Sequence, residues 1–343
     1  MTVLGNFIKK GLTLSAVLLG MAVMAQDAHF SQYFRSPLHT NPALTGQING
    51  TVRINALYRS QWGSVGNDYS NTAFSADIKH NEWGFGVSIV DQVAGPNEFN
   101  TLNAALSASY DLSIASGSAA SNHHFVFGLQ LGVINKYVNN DNATYAGEWN
   151  SVFGHQPGTS GENLESLNLT SPDLNFGFLW FDGSPYKTFA PFAGITANHL
   201  TSPRDNFKDD NDPASAAREK SALPFRSTLH GGVRIRTSAD IEITPHASVM
   251  FQNNSYNIIV GATGSYALID TYTRVEAGVW YRVQDAIVPY FGLTHKDFQV
   301  GVSYDIVLSS LNDVGRVKNA FEVSLTYIRS KRNMKEDFIC PRL

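Results

Sequence analysis

The stretch "TVRINALYR", Thr51 to Arg59, sets Val52, Ile54, Ala56 and Tyr58 on one side and Arg53, Asn55 and Arg59 on the other. Successive side chains of a strand point to opposite faces, so this reads as a strand with one apolar and one polar face. The pattern recurs almost to the end of the chain. "TLNAALSASYDL" opposes Leu102, Ala104, Leu106, Ala108, Tyr110 and Leu112 to Asn103, Ser107, Ser109 and Asp111. "RVEAGVWYR" opposes Val275, Ala277, Val279 and Tyr281 to Arg274, Glu276, Trp280 and Arg282. "FQVGVSYDIVL" opposes Phe298, Val300, Val302, Tyr304, Ile306 and Leu308 to Gln299, Ser303 and Asp305. Strands of soluble sheets usually run to about five or six residues. These run to about ten, the length a tilted strand needs to cross a bilayer.

About fourteen such segments fit this template. They start near Thr51, Tyr69, Trp83, Phe99, His123, Pro172, Tyr186, Phe225, Ile241, Ser255, Thr273, Ile287, Phe298 and Asn319. The expected fold is all-β: a transmembrane antiparallel up-and-down β-barrel of about fourteen strands with a short irregular N-terminal segment. Composition fits, with 43% hydrophobic, 12% aromatic and only 16% charged residues among the 343. Lipid-facing and lumen-facing positions that alternate along each strand produce this mixture. A soluble β-sandwich array shares it, so the connections carry the distinction.

With both chain ends periplasmic, even-numbered connections are periplasmic turns and should be short. They read "KHNE", "ASGSAASN", "DGSP", "TSAD", "LIDT" and "THKD". The long loops, Asn139 to Ser171 and His199 to Pro224, fall at odd positions. A sandwich array has no preferred side for long loops. Aromatics near strand ends (Tyr58, Trp62, Trp83, Tyr110, Tyr137, Trp180, Phe181, Tyr186, Tyr281, Tyr327) suit interfacial girdles.

The N-terminus has a positive Lys9-Lys10 pair, the apolar run Gly11 to Val23, and small residues before Gln26. This reads as a secretory signal cleaved after Ala25, the apolar run being short for a membrane anchor. The expected organisation is therefore a signal peptide over 1–25, an N-terminal segment in or under the barrel over 26–50, the barrel over 51–329 and a periplasmic tail over 330–343. Cys340 is the only cysteine, which excludes an intramolecular disulfide framework. A net charge of -4 gives no reason to expect nucleic acid.

Catalytic signatures are missing: there is no G-x-S-x-G elbow, P-loop, H-E-x-x-H or C-x-x-C. Gly84 and Gly86 lack the rest of a dinucleotide fingerprint. His123 and His124, as strand neighbours, point to opposite faces. Asp205, Asp209, Asp210 and Asp212 lack calcium-loop spacing and read as a solvated loop. The loop aromatics Tyr145, Trp149 and Phe153 suit either a binding surface or packing into the barrel mouth. No catalytic residue, cofactor or metal is therefore expected. The inferred lumen face carries both signs of charge (Arg53, Arg59, Asp77, Asp111, Arg274, Glu276, Arg282, Asp305). Such charges either line water or pair across the lumen, and a selective pore would favour rings of one sign.

Ahead of the first strand stands "FSQYFRSPLHTNPALTG", Phe30 to Gly46, and "LYRSQW" follows at Leu57 to Trp62. Together they resemble the start of the PorP/SprF family of Bacteroidota. That family shows an aromatic-Ser-Gln-Tyr start, a Pro, Asn-Pro-Ala and Tyr-Arg-x-Gln-Trp. Here these are Phe30 to Tyr33, Pro37, Asn41-Pro42-Ala43 and Tyr58 to Trp62. "GITANHLTSP", "VSYDIVLSSL" and the ending "CPRL" are similar too. Ser36, Thr45 and Ser60 depart conservatively from the family pattern.

The resemblance implies a fourteen-stranded outer-membrane barrel of the type IX secretion and gliding machinery. It implies a role in exporting or anchoring large adhesins that carry a C-terminal sorting domain. It also implies contacts with the periplasmic secretion ring, with peptidoglycan-associated components and with outer-membrane lipid. A porin-like solute channel is the alternative. Phe30, Gln32, Tyr33, Pro37, Asn41, Pro42, Arg59 and Trp62 are the candidate residues for partner binding or for a lumen plug. Pro37 and Pro42 predict a kinked, partly helical segment that starts in the periplasm.

Overall fold

The computed structural model describes residues 27–61, 69–95, 99–115, 122–138, 149–150, 154–155, 167–184, 187–205, 222–268, 272–308 and 320–329. The proposed signal peptide, the tail 330–343, Trp62, Tyr145, Phe153, Asp209, Asp210 and Asp212 lie outside them.

A closed barrel of fourteen strands dominates the molecule. Its strands are β1 (Val52–Gln61), β2 (Tyr69–His80), β3 (Trp83–Ala94), β4 (Phe99–Ala115), β5 (Asn122–Val138), β8 (Leu167–Asp182), β9 (Phe189–Asn198), β10 (Arg226–Arg236), β11 (Ile241–Gln252), β12 (Ser255–Ala267), β13 (Thr273–Arg282), β14 (Ala286–His295), β15 (Phe298–Val307) and β16 (Ala320–Arg329). Two short strands, β6 (Trp149–Asn150) and β7 (Gly154–His155), form a separate hairpin. Each barrel strand pairs antiparallel with its chain neighbours, and β1 pairs with β16 to close the sheet. Closure removes the unpaired edges that hydrocarbon does not tolerate.

Alternation sorts the faces as the sequence implies. Leu106, Phe291, Leu131 and Ile195 stand exposed on the outside, while Arg53, Asn55, Asp77, Ser107 and Asp305 are buried inside. Twelve of the strand starts agree with the sequence reading to within one residue. β8 begins five residues earlier, at Leu167, because it extends the pairing of the long strand β5, Val138 facing Leu167. β9 begins at Phe189 rather than Tyr186. Phe181, expected in an interfacial girdle, lies inside at 1% exposure. Its strand places odd-numbered side chains inward, and Phe181 stacks on His124 at 4.5 Å. Trp83 does stand outside, 4.9 Å from Tyr110.

One end of the barrel carries the two-residue turns Asn81–Glu82 and Lys296–Asp297 and is called the turn end. The connections 139–166 and 199–225 leave from the opposite, loop end.

Candidate functional site

Residues 27–50 fold inside this barrel. Three short turns build the segment: a 3-10 turn at Tyr33–Arg35, an α-turn at Pro37–Thr40 and a second 3-10 turn at Pro42–Leu44. Pro37 and Pro42 each open a turn, where proline's missing N–H costs nothing and its fixed φ suits the helix. Asn41 caps the last turn by accepting a hydrogen bond from the Ala43 N–H at 2.9 Å.

The direction of travel differs from the expected periplasmic start. Asp27 lies at the loop end, paired with Arg226 at 2.9 Å and contacting Gln252. Gly46 lies at the turn end, its N–H donating to Asp77 at 2.7 Å. The chain thus descends the lumen from loop end to turn end, reverses, and enters β1. The sequence pattern contains nothing that fixes this polarity.

A cluster of buried charges holds the front of the segment. The Ser31 and Gln32 N–H groups each donate to one oxygen of Glu322, at 2.8 and 2.7 Å. Arg59 donates to Glu322 at 3.0 Å and to Asp305 at 2.7 Å. Arg282 donates to Asp305 at 2.6 Å. The Ser31 hydroxyl donates to Asp305 and receives from both arginines. Two cations and two buried carboxylates balance, Arg282 also reaches the exposed Asp285, and the segment supplies the remaining donors. A buried ion pair repays its desolvation only when its lone pairs are satisfied in this way. The Gln32 side chain donates to Ser303 and accepts from Ser324.

Aromatic packing continues down one wall. Tyr33 and Phe34 join Trp280, Val288 and Tyr290 in one apolar cluster. Phe34 sits 5.0 Å from the Trp280 ring and 5.4 Å from Tyr290. The Trp280 indole N–H donates to His246 Nε2 at 2.8 Å. The neutral ring therefore carries its proton on Nδ1, 2.5 Å from the Tyr33 hydroxyl. Arg35 forms an ion pair with Glu276. Phe30 packs with Ala28, Leu57, Ala73 and Val90.

The back of the segment is held by shape. Gly128, Gly177 and Gly194 lie on neighbouring strands β5, β8 and β9. A Cβ on Gly128 would sit 2.3 Å from the Ala43 nitrogen, and one on Gly177 would sit 2.0 Å from Asn41 Oδ1. The glycines form a notch that receives Asn41-Pro42-Ala43. Within it the Asn41 amide donates to the Phe178 carbonyl and to His230 Nε2. Gly84 does related work at the turn end, where its missing Cβ leaves room for the Thr45 carbonyl. Leu44 gives its carbonyl to Arg53, which also pairs with Asp77.

Of the sequence candidates, Phe30, Gln32, Tyr33, Pro37, Asn41, Pro42 and Arg59 are all buried in this one assembly. Sequence reasoning missed Glu322, His246, Trp280, His230 and the three notch glycines as partners. Their register against the segment exists only once the barrel closes. No group of three or more metal-ligating side chains occurs among the described residues.

Outside the strands, four titratable groups meet at the loop end, one of them His29, whose pKa is lowered by burial with Arg282 and Arg59 nearby. Burial opposes the charge on Asp27, but Arg226 and His199 outweigh it and hold its carboxyl below the usual range. Burial likewise opposes the charge on His199, yet Asp27 and Asp173, one at each ring nitrogen, raise its pKa. Burial, with Arg226 nearby, lowers His39 to about 4.

Fold and lumen together define an outer-membrane-type β-barrel whose interior is occupied by its own N-terminal segment. The chain belongs to the type IX secretion system membrane proteins PorP/SprF, whose family profile it matches over residues 22–327. That match spans both the lumen segment and the barrel. Comparison with curated proteins gives no match. Among solved structures, the Ralstonia pickettii toluene transporter TbuX is similar at 10% identity and TM-score 0.49, over 87% of this chain and 94% of that one. The Pseudomonas putida toluene transporter TodX is similar at 9% identity and TM-score 0.46, over 88% and 93%. A Pseudomonas aeruginosa FadL homologue follows at 13% identity and TM-score 0.42, over 85% and 94%.

Proposed function

We propose that this protein is a non-enzymatic, closed outer-membrane component of the type IX secretion machinery. In this reading it helps export or anchor a large secreted adhesin with a C-terminal sorting domain. The turn end, with the short connections typical of the periplasmic side, meets the secretion ring and the peptidoglycan-associated components. The loop end is left for the secreted partner.

The observation that carries the reading is the lumen segment. A solute channel needs a water path, and here residues 27–50 run the height of the lumen and are fastened by buried ion pairs and a glycine notch. Binding energy invested in keeping a barrel shut suits a docking platform better than a pore. The family membership supports the same direction and supplies the secretion context.

Two measurements test it. The purified barrel in a planar bilayer should show no stable large conductance. Deletion of the gene should remove one or more large proteins from the cell surface and the secreted fraction. A steady open pore together with an unchanged surface proteome would return the protein to the solute channels.

A further inference from the structure

Above the segment, at the loop end, the barrel holds a cavity of about 410 Å³. Asp27, His29 and His39 form its floor, and strands β1 to β5 and β10 form its wall. Its volume lies in the range of small-molecule sites, roughly 300–1,000 Å³. The wall is ordered by strand register. Arg59 faces Asn71, Asn71 faces Gln92, Gln92 faces Thr101, and Thr101 faces Lys136. Asn103 faces Val90 one step below.

The charged groups of this cavity already have partners. Arg226 pairs with Asp27, and Lys136 pairs with Asp205. Four of its neutral side chains do not. Asn71, Gln92, Thr101 and Asn103 make no side-chain hydrogen bond among the described residues. Asn71 is only 5% exposed. Its amide can be satisfied only by whatever enters the cavity. Arg226 Nε is also buried without a partner. Amides and hydroxyls that line a cavity without a protein partner are satisfied by its water or by a ligand that displaces it.

We propose that this vestibule binds a neutral saccharide. Balanced charge disfavours an anion, which would have to displace Asp205 or Asp27. Amide and hydroxyl side chains each donate and accept, which matches the paired donor and acceptor character of sugar hydroxyls. The site is separate from the export role and stands or falls without it.

The test uses the folded full-length barrel in an amine-oxide detergent, which carries no sugar headgroup. Saturation-transfer NMR is recorded with the methyl glycosides of glucose, mannose, galactose and N-acetylglucosamine, and with acetyl-triglycine amide. At least one glycoside should receive transfer, and the double substitution Asn71→Leu, Gln92→Leu should reduce it at least about fivefold. Heat-shifted gel mobility checks that this variant folds. Should it not fold, Thr101→Val alone is measured and should weaken the same signal. No transfer to any glycoside, transfer indifferent to these substitutions, or transfer to the peptide alone overturns the proposal.

Discussion

The two ends of the lumen segment are attached by opposite means. Ser31 and Gln32 are held by charge, against Arg59, Arg282, Asp305 and Glu322 on four strands. Asn41-Pro42-Ala43 is held by the absence of side chains, in a notch of three glycines. The first attachment is energetically brittle. Every member is buried, and losing one leaves an uncompensated charge. The second is sterically strict but electrically quiet, so damage to it scales with the atoms added. The comparison predicts a hierarchy of effects, beginning at the charges.

Arg59→Met should be the most damaging change. It leaves Glu322 and Asp305 with Arg282 as their remaining arginine, and breaking a buried pair typically costs about 3–5 kcal/mol. The barrel's heat-modified gel shift should move to lower temperature. Adding Glu322→Gln should recover part of the loss, because one buried charge disappears while the amide oxygen still accepts from one of the two segment N–H groups. A double variant as weak as the single would refute a charge-based attachment.

The notch should respond to volume alone. Gly128→Ala places a methyl group against the Ala43 backbone, and overpacking of this kind costs about 1–3 kcal/mol. Gly264→Ala is the matched control. Its Cβ would find its nearest neighbour at 3.8 Å, so its effect should stay within about 0.5 kcal/mol. Equal stability of the two variants would show that the notch does not hold the segment.

This contrast also separates what the sequence displays from what it conceals. Strands are legible because alternation is local: Leu106 exposed beside Ser107 buried needs no knowledge of any other strand. Mixed lumen charges were visible as well, but not their pairing, since Arg59 and Glu322 become neighbours only when β1 meets β16. Glycines are harder still. Gly84 fails every glycine motif, and its purpose depends on Thr45 being pressed against it. The turns at Pro37 and Pro42 were readable from proline's own geometry. The downward course from Asp27 to Gly46 was not, because a short segment can be threaded either way without altering a single local preference.

Tyr33→Phe should act more gently, on the wall between the two attachments. The ring keeps its packing on Phe34, but His246 loses its partner at Nδ1. Trp280 still occupies Nε2, so the ring cannot respond by switching tautomer. A net loss of about 1 kcal/mol is expected, measurable as a small shift in thermal unfolding. A shift as large as that of Arg59→Met would mean that the hydroxyl, rather than the charge cluster, fixes the front of the segment.

Just below pH 6.5 acidity should produce the mildest effect, confined to the loop end. His39 binds its proton only near pH 4 when the segment is docked, against 6.5 for an ordinary histidine. A released segment therefore takes up protons in that interval, and docking weakens as pH falls from about 6.5 towards 4. Asp27, held low by Arg226 and His199, adds a loss at still lower pH, as its carboxylate is protonated. His199 works in the other direction: its raised pKa stabilises the docked state at low pH, and that contribution fades as pH rises through the raised value. Docking should thus be strongest between the two limbs. Ala28→Cys, at a position 6% exposed, reports it through its rate of reaction with a maleimide. Measured without Cys340 and relative to a free thiol at the same pH, because only the thiolate reacts, labelling should quicken below about pH 6, and His39→Asn should weaken that acid limb, leaving the share of His29, whose pKa burial also lowers. An acid limb that survives His39→Asn unchanged would assign the sensitivity to His29 and detach His39 from docking.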